Sequence, residues 1–195
     1  MSSITRFRDF VGDVTDFLAT SPREPEIFSV IDERLHALVT HDDWLPDPFA
    51  KPHPDRYQQY LLHCDPLERF SVVSFVWGPG HKTPVHDHTV WGLIGVMRGE
   101  EACTEFALGD SDLHQTGEHR LGVGEIDHVS PTVGDIHEVV NSRTDGPSVS
   151  IHIYGANIGA VRRHVLDRDS GAASDFISGY SSDVVPNLWD RSGDG

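Results

Sequence analysis

Residues 80–99 read GHKTPVHDHTVWGLIGVMRG, and within them His86 and His88 are separated by a single residue. In a β-strand, side chains two positions apart point to the same face, so both imidazoles are expected on one face with Asp87 on the other. Two imidazoles on one pleated face can bind the same metal ion. Imidazole suits iron, zinc, copper and nickel alike, so these ligands alone do not select the metal.

A third ligand must come from another part of the chain. The chain has 13 histidines, so the presence of a histidine says little and its position has to decide. His137 lies in the run PTVGDIHEVVN, residues 131–141, a short strand-like segment that a Pro/Gly turn precedes. His81 is a weaker candidate because it adjoins a Gly-Pro-Gly turn. The predicted metal ligands are therefore His86, His88 and His137.

The N-terminal part of the chain has the pattern of helices. Apolar residues recur three or four positions apart over residues 4–18 and again over residues 25–39, which is the period of an amphipathic helix. Residues 42–54 contain four prolines and are expected to form an irregular connection.

Beyond residue 56 the sequence pattern changes to short apolar or alternating runs, which Gly, Pro, Asp and Asn separate. This pattern favours a mainly β sandwich or barrel. The predicted strands lie near residues 57–63, 69–77, 90–99, 102–109, 118–129, 135–140 and 148–154. We predict one domain over residues 1–195, with helices at about 4–40, a β-barrel at about 57–166 and a C-terminal wrap at about 167–195.

Composition excludes several classes of protein. A formal net charge of −16, without a cluster of Lys or Arg, argues against a nucleic-acid partner. No apolar run approaches the roughly 18 residues of a membrane span, and the charged N-terminus does not resemble a secretory signal. Cys64 and Cys103 are too few for a disulfide framework. We therefore expect a cytoplasmic protein, a monomer or small homo-oligomer, with both thiols reduced.

The histidine pattern resembles the two motifs of the cupin family. Gly80, His86, His88 and Gly99 have the spacing of the first motif, GxxxxxHxHxxxExxxxxxG, but Gly92 stands at the glutamate position. The second motif is matched around His137, with one residue inserted between Pro131 and Gly134. The resemblance implies a cupin double-stranded β-helix, or jelly-roll, whose barrel holds the metal.

Among cupins, the lack of the glutamate is similar to the cysteine dioxygenase family, and residues 150–154 add to that resemblance. They read SIHIY and match the family's Ser-x-His-x-Tyr motif. Strand alternation places Ser150, His152 and Tyr154 on one face. The resemblance implies that these three are catalytic residues and form a hydrogen-bonded relay that ends in the phenol.

Three positions resemble the bacterial 3-mercaptopropionate dioxygenases within this family. In mammalian-type members, a cysteine near the position that Gly92 occupies here cross-links to the tyrosine of the motif. Those members also have an arginine at the position of Gln59. In the bacterial subgroup an arginine after the Ser-His-Tyr strand is thought to meet the substrate carboxylate. Arg163 matches that place, as does its neighbour Arg162. Arg163 and Gln59 are the predicted substrate-binding residues.

The resemblance implies a non-haem Fe(II) enzyme that takes a small thiol carboxylate and O2 and adds both oxygen atoms to the sulfur. For 3-mercaptopropionate the product is 3-sulfinopropionate. One alternative is the same chemistry on cysteine, which gives cysteine sulfinate. Another alternative, from outside enzymology, is a non-catalytic cupin that acts as a metal-dependent sensor or binding module.

Overall fold

The computed structural model describes residues 3–109 and 112–189. The chain begins with two helices, α1 over Ser3–Leu18 and α2 over Glu24–Val39. They cover the segments in which the apolar period of the sequence predicts helices. The proline-rich connection that follows contains a short 3₁₀ helix, Asp47–Ala50. None of the described helices is both long enough and apolar enough to cross a membrane.

The rest of the described chain is built mainly from strands. Its eleven strands are β1 Gln58–Cys64, β2 Ser71–Trp77, β3 Val85–His86, β4 Gly92–Arg98, β5 Glu100–Leu108, β6 Leu113–Gly122, β7 Ile126–Val129, β8 Ile136–Val140, β9 Ser148–Tyr154, β10 Arg163–Leu166 and β11 Ala173–Phe176.

The strands form two sheets. One has five strands in the order β1-β2-β9-β4-β7, and the other has six strands in the order β11-β10-β3-β8-β5-β6. Neighbouring strands pair antiparallel in both sheets, and most neighbours are not consecutive in the chain. This arrangement confirms the predicted mainly β class and the double-stranded β-helix of the cupins.

The five-stranded sheet separates two apolar clusters. The side chains of Ile151 and Ile153 lie on its outer face and pack in one cluster with Phe7 of α1 and Leu35 of α2. Tyr154 belongs to a second cluster, which fills the space between the two sheets. Because β9 is buried along its whole length, its outer face anchors the helices while its inner face carries polar side chains into the barrel.

Strand register brings the motif residues opposite one another. In the six-stranded sheet His86 of β3 pairs with His137 of β8. In the five-stranded sheet Gly92 of β4 pairs with Tyr154 of β9. A Cβ atom at position 92 would lie 2.6 Å from Cδ1 of that tyrosine, which is closer than a real contact, so only glycine leaves room for the ring.

The prediction that His86 and His88 lie on one regular strand is wrong in detail. β3 ends at His86, so His88 lies beyond the strand. The strand ends there because the carboxylate of Asp135 accepts hydrogen bonds from the backbone N–H groups of His88 and Thr89, at 3.0 Å and 2.9 Å. These N–H groups are therefore satisfied by a side chain and not by a strand ladder.

The C-terminal segment contains more structure than the sequence indicates. β11 pairs with β10, so that Arg163 lies opposite Phe176. The backbone N–H of Gly179 then donates to the carbonyl of Gly159, and that of Ser181 donates to the carbonyl of Gln59. Residues 173–181 therefore lie across the barrel beside β1 and β10.

Candidate metal centre

The three predicted ligands meet at one point between the sheets. The imidazole ring centroids lie 4.9 Å apart for His86 and His88, 4.9 Å for His86 and His137, and 4.8 Å for His88 and His137. One ring nitrogen from each residue lies within 4.8 Å of the other two, and all three side chains are buried. Three imidazoles from two separate stretches of chain therefore form one group, the histidine triad of His86, His88 and His137.

Hydrogen bonds fix which nitrogen of His86 and of His88 faces the group. Nδ1 of His86 lies 3.1 Å from the carbonyl oxygen of Pro84. Nδ1 of His88 lies 3.2 Å from both the carbonyl and the carboxylate of Asp135. Since these oxygens only accept, each Nδ1 donates and each Nε2 keeps its lone pair. Partners of this kind hold metal-ligating imidazoles in the required tautomer.

His137 has a partner at Nδ1 of its ring. Its Nδ1 lies 3.4 Å from Sγ of Cys103, and the carboxylate of Asp127 is also close enough to that thiol to form a second group with His137. A neutral imidazole has one lone pair, so His137 serves one metal only. Burial raises the pKa of the Cys103 thiol above its ordinary value, and Cys103 remains a neutral support.

The electrostatics of the triad fit a bound cation. Burial, followed by the charge of His88, lowers the pKa of His86 to about 3. The same two causes, together with His86, lower the pKa of His137 well below its ordinary value. Neutral imidazoles are the form that binds metals. In addition, Nε2 of His88 is buried and has no hydrogen-bond partner among the described residues, a costly state that a metal would relieve.

The carboxylate of Asp135 lies beside one of the ligands, 3.2 Å from Nδ1 of His88. Burial alone would raise the pKa of its carboxyl group, but the hydrogen bonds from the His88 ring and from two backbone N–H groups lower it below the ordinary value. Asp135 is therefore an ionised carboxylate that orients His88. The prediction from sequence did not include this residue.

The predicted relay lies on the inner face of β9. Oγ of Ser150 is 2.8 Å from Nε2 of His152, and Nδ1 of His152 is 2.8 Å from the hydroxyl of Tyr154. Nε1 of Trp77 also donates to Oγ of Ser150, at 3.3 Å. The ring of Tyr154 stacks on that of His88 with centroids 5.5 Å apart. The phenol therefore lies next to the triad, and the chain of hydrogen bonds leads away from it.

Burial keeps both members of this chain neutral. It lowers the pKa of His152 well below its ordinary value and raises the pKa of Tyr154 above its own. A neutral imidazole has one N–H and one lone pair, so His152 accepts a hydrogen bond on one side and donates on the other.

A cavity of about 150 Å³ opens beside the triad. This is smaller than the roughly 300 Å³ of the smallest typical drug-sized pockets, so it suits a small molecule. Its wall includes His86, His137, His152, Tyr154, Arg163, Gln59, Tyr57, Phe75, Trp77, Thr83, Pro84, Val139, Val165, Phe176 and Ser178. Among these described lining residues there is no Asp and no Glu.

The two arginines left open by the sequence lie in different places. The Arg163 side chain lies in the cavity wall, 4% exposed, with its guanidinium over the ring of Phe176 and Nη2 donating to Ser178 at 2.7 Å. Its Nε is buried without a partner among the described residues. Burial lowers the pKa of Arg163, but a guanidinium stays protonated. Arg162 is 68% exposed and pairs with Asp175 outside the cavity.

Gln59 also lines the cavity, but its amide nitrogen is already engaged. Nε2 of Gln59 donates to Oγ of Ser178 at 2.8 Å and to the carbonyl of Gly179. Ser178 thus accepts hydrogen bonds from both predicted substrate-binding residues. No sequence pattern indicates Ser178, because it lies in a segment rich in Ser, Gly and Asp that lacks a periodic pattern.

Residues 33–166 match the family described as cysteine dioxygenase type I. The chain belongs to the cysteine dioxygenase type I family. Family membership places the chain among the iron-dependent dioxygenases, and the triad supplies the metal site that such an enzyme needs.

Individual relatives of this cysteine dioxygenase family member are distant. It is 25% identical to cysteine dioxygenase type 1 of Danio rerio over 157 residues, which are 78% of this chain and 71% of that protein. It is 25% identical to the Bos taurus protein of the same name over 58% of each chain. With the Homo sapiens protein it shares 26% identity over 53% of this chain and 52% of that protein. The match thus spans little more than half the length of the two mammalian relatives.

Solved structures resemble the chain in fold alone. One is a protein with a double-stranded β-helix domain from Klebsiella pneumoniae, with a TM-score of 0.44 and 21% identity, which covers 58% of this chain and 89% of its own. Another is a cupin superfamily protein from Desulfitobacterium hafniense, with a TM-score of 0.45 and 14% identity, which covers 60% of this chain and 94% of its own.

Proposed function

We propose that this family member is a thiol dioxygenase that adds both atoms of O2 to the sulfur of 3-mercaptopropionate and forms 3-sulfinopropionate. The metal is Fe(II), held by His86, His88 and His137. Iron in this position supplies the redox chemistry on sulfur and oxygen, which no side chain of the protein can supply. All atoms of both reactants remain in the product.

The charges in the cavity wall support 3-mercaptopropionate as the substrate. It presents one buried cation, Arg163, and its described residues include no carboxylate. A guanidinium binds a carboxylate through paired N–H groups, and Nε of Arg163 has no other described partner. The ammonium group of cysteine would find no anion in the wall. A thiol acid without an amine therefore fits this cavity best.

Ser178 and Gln59 also favour a carboxylate in this cavity. Ser178 accepts hydrogen bonds from Gln59 and Arg163, so its own proton is left to donate into the cavity. Gln59 thus acts through Ser178 in this proposal. Tyr154 contributes its phenol to the same cavity, and its ring stacks on His88 of the triad.

Cysteine is the second candidate substrate, because the curated relatives are named cysteine dioxygenase type 1. Oxygen uptake measured side by side with 3-mercaptopropionate, cysteine and cysteamine separates the two. We expect the highest kcat/KM for 3-mercaptopropionate. A higher value for cysteine would overturn the substrate proposal, and no uptake with any of the three would favour a binding protein over an enzyme.

The carboxylate role is tested with Arg163→Met against its neighbour. The loss of one partner of a buried hydrogen-bonded charge pair costs about 2–5 kcal/mol, so kcat/KM for 3-mercaptopropionate should fall by about 30-fold or more. Arg162→Met is the matched control, since it removes the same charge one residue away on the surface. Equal effects of the two variants would refute the role of Arg163.

A cytoplasmic location, the absence of a nucleic-acid or membrane partner, and assembly as a monomer or small homo-oligomer stay predictions from the sequence. So does the single-domain division of residues 1–195.

A further inference from the structure

A buried carboxyl group lies at the inner end of the relay. Glu101, on β5, is 0% exposed. The hydroxyl groups of Ser150 and Ser148 lie beside it and favour its ionised form, yet neither closes a hydrogen bond of full geometry, and both carboxyl oxygens lack a partner among the described residues. A buried polar group without a partner is costly and calls for an explanation.

The surroundings of Glu101 bring its ionisation close to neutral pH. Burial raises the pKa of Glu101 to about 7, and the two serine hydroxyls oppose that shift. The titratable groups near enough to interact with it electrostatically are the Cys103 thiol on its own strand and Tyr154 on β9, and both are neutral. His152 lies one step further along β9, and it is neutral as well. No basic side chain of the described chain contributes to the pKa of Glu101.

Ser150 connects this carboxyl group to the relay. Its hydroxyl contacts His152 and accepts a hydrogen bond from Trp77, and the Glu101 carboxyl group lies beside it. A hydroxyl has one proton and two lone pairs. With one lone pair taken by Trp77, Ser150 can donate to His152 and accept from Glu101, or donate to Glu101 and accept from His152.

The protonation state of Glu101 decides between these two arrangements. A protonated Glu101 donates to Ser150, Ser150 donates to Nε2 of His152, and Nδ1–H of His152 donates to the Tyr154 oxygen. The phenol proton is then free to point into the cavity. An ionised Glu101 accepts from Ser150, every hydrogen bond reverses, and the phenol proton points to His152.

We infer that Glu101 is a positioning residue that sets the direction of the hydrogen-bond chain through Ser150 and His152 to Tyr154. It thereby decides whether the phenol donates into the substrate cavity. This inference rests on the proposed function, because the donor matters only if a reaction occurs beside Tyr154.

The first test is the pH dependence of kcat for the iron-loaded enzyme with saturating 3-mercaptopropionate, because kcat reports ionisations in the substrate complex. In the wild type we expect kcat to fall by about 10-fold as the pH rises through about 7, in line with the loss of one hydrogen-bond donor. Glu101→Gln and Ser150→Ala should both remove this fall. Glu118→Gln, an exposed glutamate on β6, is the control and should keep it.

The second test uses the metal-free protein and does not depend on activity. Infrared difference spectra between about pH 5 and about pH 9 should show a protonated carboxyl band that disappears near pH 7. The band should be absent in Glu101→Gln, which removes the carboxyl group. It should be present in Ser150→Ala, which removes only the hydroxyl between Glu101 and His152, and in the control Glu118→Gln.

The two tests separate the possible failures. If the wild type oxidises no thiol, the proposed function fails, and the infrared titration still reports on Glu101. A Glu101 carboxyl that stays ionised over the whole range overturns the inference, whatever the enzyme does. So does a fall in kcat near pH 7 that persists in Glu101→Gln or in Ser150→Ala.

Discussion

The two sheets contribute to the centre in different ways. Of the three metal ligands, His137 lies on strand β8 of the six-stranded sheet, His86 ends the two-residue strand β3 of that sheet, and His88 lies beyond that strand on irregular backbone. The five-stranded sheet provides the relay from β9, a regular strand that is buried throughout. Ligands on irregular backbone need supporting hydrogen bonds, whereas the relay residues are aligned by the strand itself.

Removal of a metal ligand should have the largest effect on iron content and activity. We expect His137→Ala to lose bound iron and thiol oxidation together, because two imidazoles and a cavity leave the metal undercoordinated. Metal analysis of the purified variant and oxygen uptake measure the two losses. Full activity with normal iron content would remove His137 from the proposed site.

Removal of a supporting hydrogen bond should have an intermediate effect. In Asp135→Asn the backbone N–H contacts of His88 and Thr89 can survive, but the negative charge beside the His88 ring is gone. We expect iron affinity to fall by about 10- to 100-fold, as is usual for such supporting residues. Asp175→Asn, on the exposed strand β11, is the control. Competition with a chelator gives the affinity, and unchanged affinity would show that the carboxylate charge plays no part in holding His88.

A change on the relay sheet should leave iron in place and have the smallest effect. Tyr154→Phe keeps the ring stacked on His88 but removes the hydroxyl that contacts His152. We expect full iron content and a kcat reduced by about 10-fold, the size of one lost hydrogen bond in the transition state. Loss of iron in this variant would mean that the two sheets do not divide the work in this way.

The same contrast explains what the sequence could predict. Alternation along residues 148–154 predicts that Ser150, His152 and Tyr154 share a face, because a regular strand has a period of two. The helices follow equally well from the apolar period of residues 4–18 and 25–39. In these segments the local pattern and the tertiary packing agree.

The remaining residues of the centre depend on contacts between distant segments. Asp135 leaves no mark in the sequence that links it to His88, since its role depends on where β3 ends. Ser178 reaches the cavity only because β11 pairs with β10. Glu101 is one of two consecutive glutamates, and only the fold shows that it is buried while Glu100 pairs with Arg120 at the surface.

The stoichiometry of the reaction of the iron-loaded protein with 3-mercaptopropionate under labelled O2 tests whether the protein is a thiol dioxygenase. We expect one O2 consumed for each 3-sulfinopropionate formed, with both oxygen atoms of the sulfinate group derived from the label. Oxygen consumption that converts the thiol only to its disulfide, without labelled sulfinate, would show that the protein is not a thiol dioxygenase.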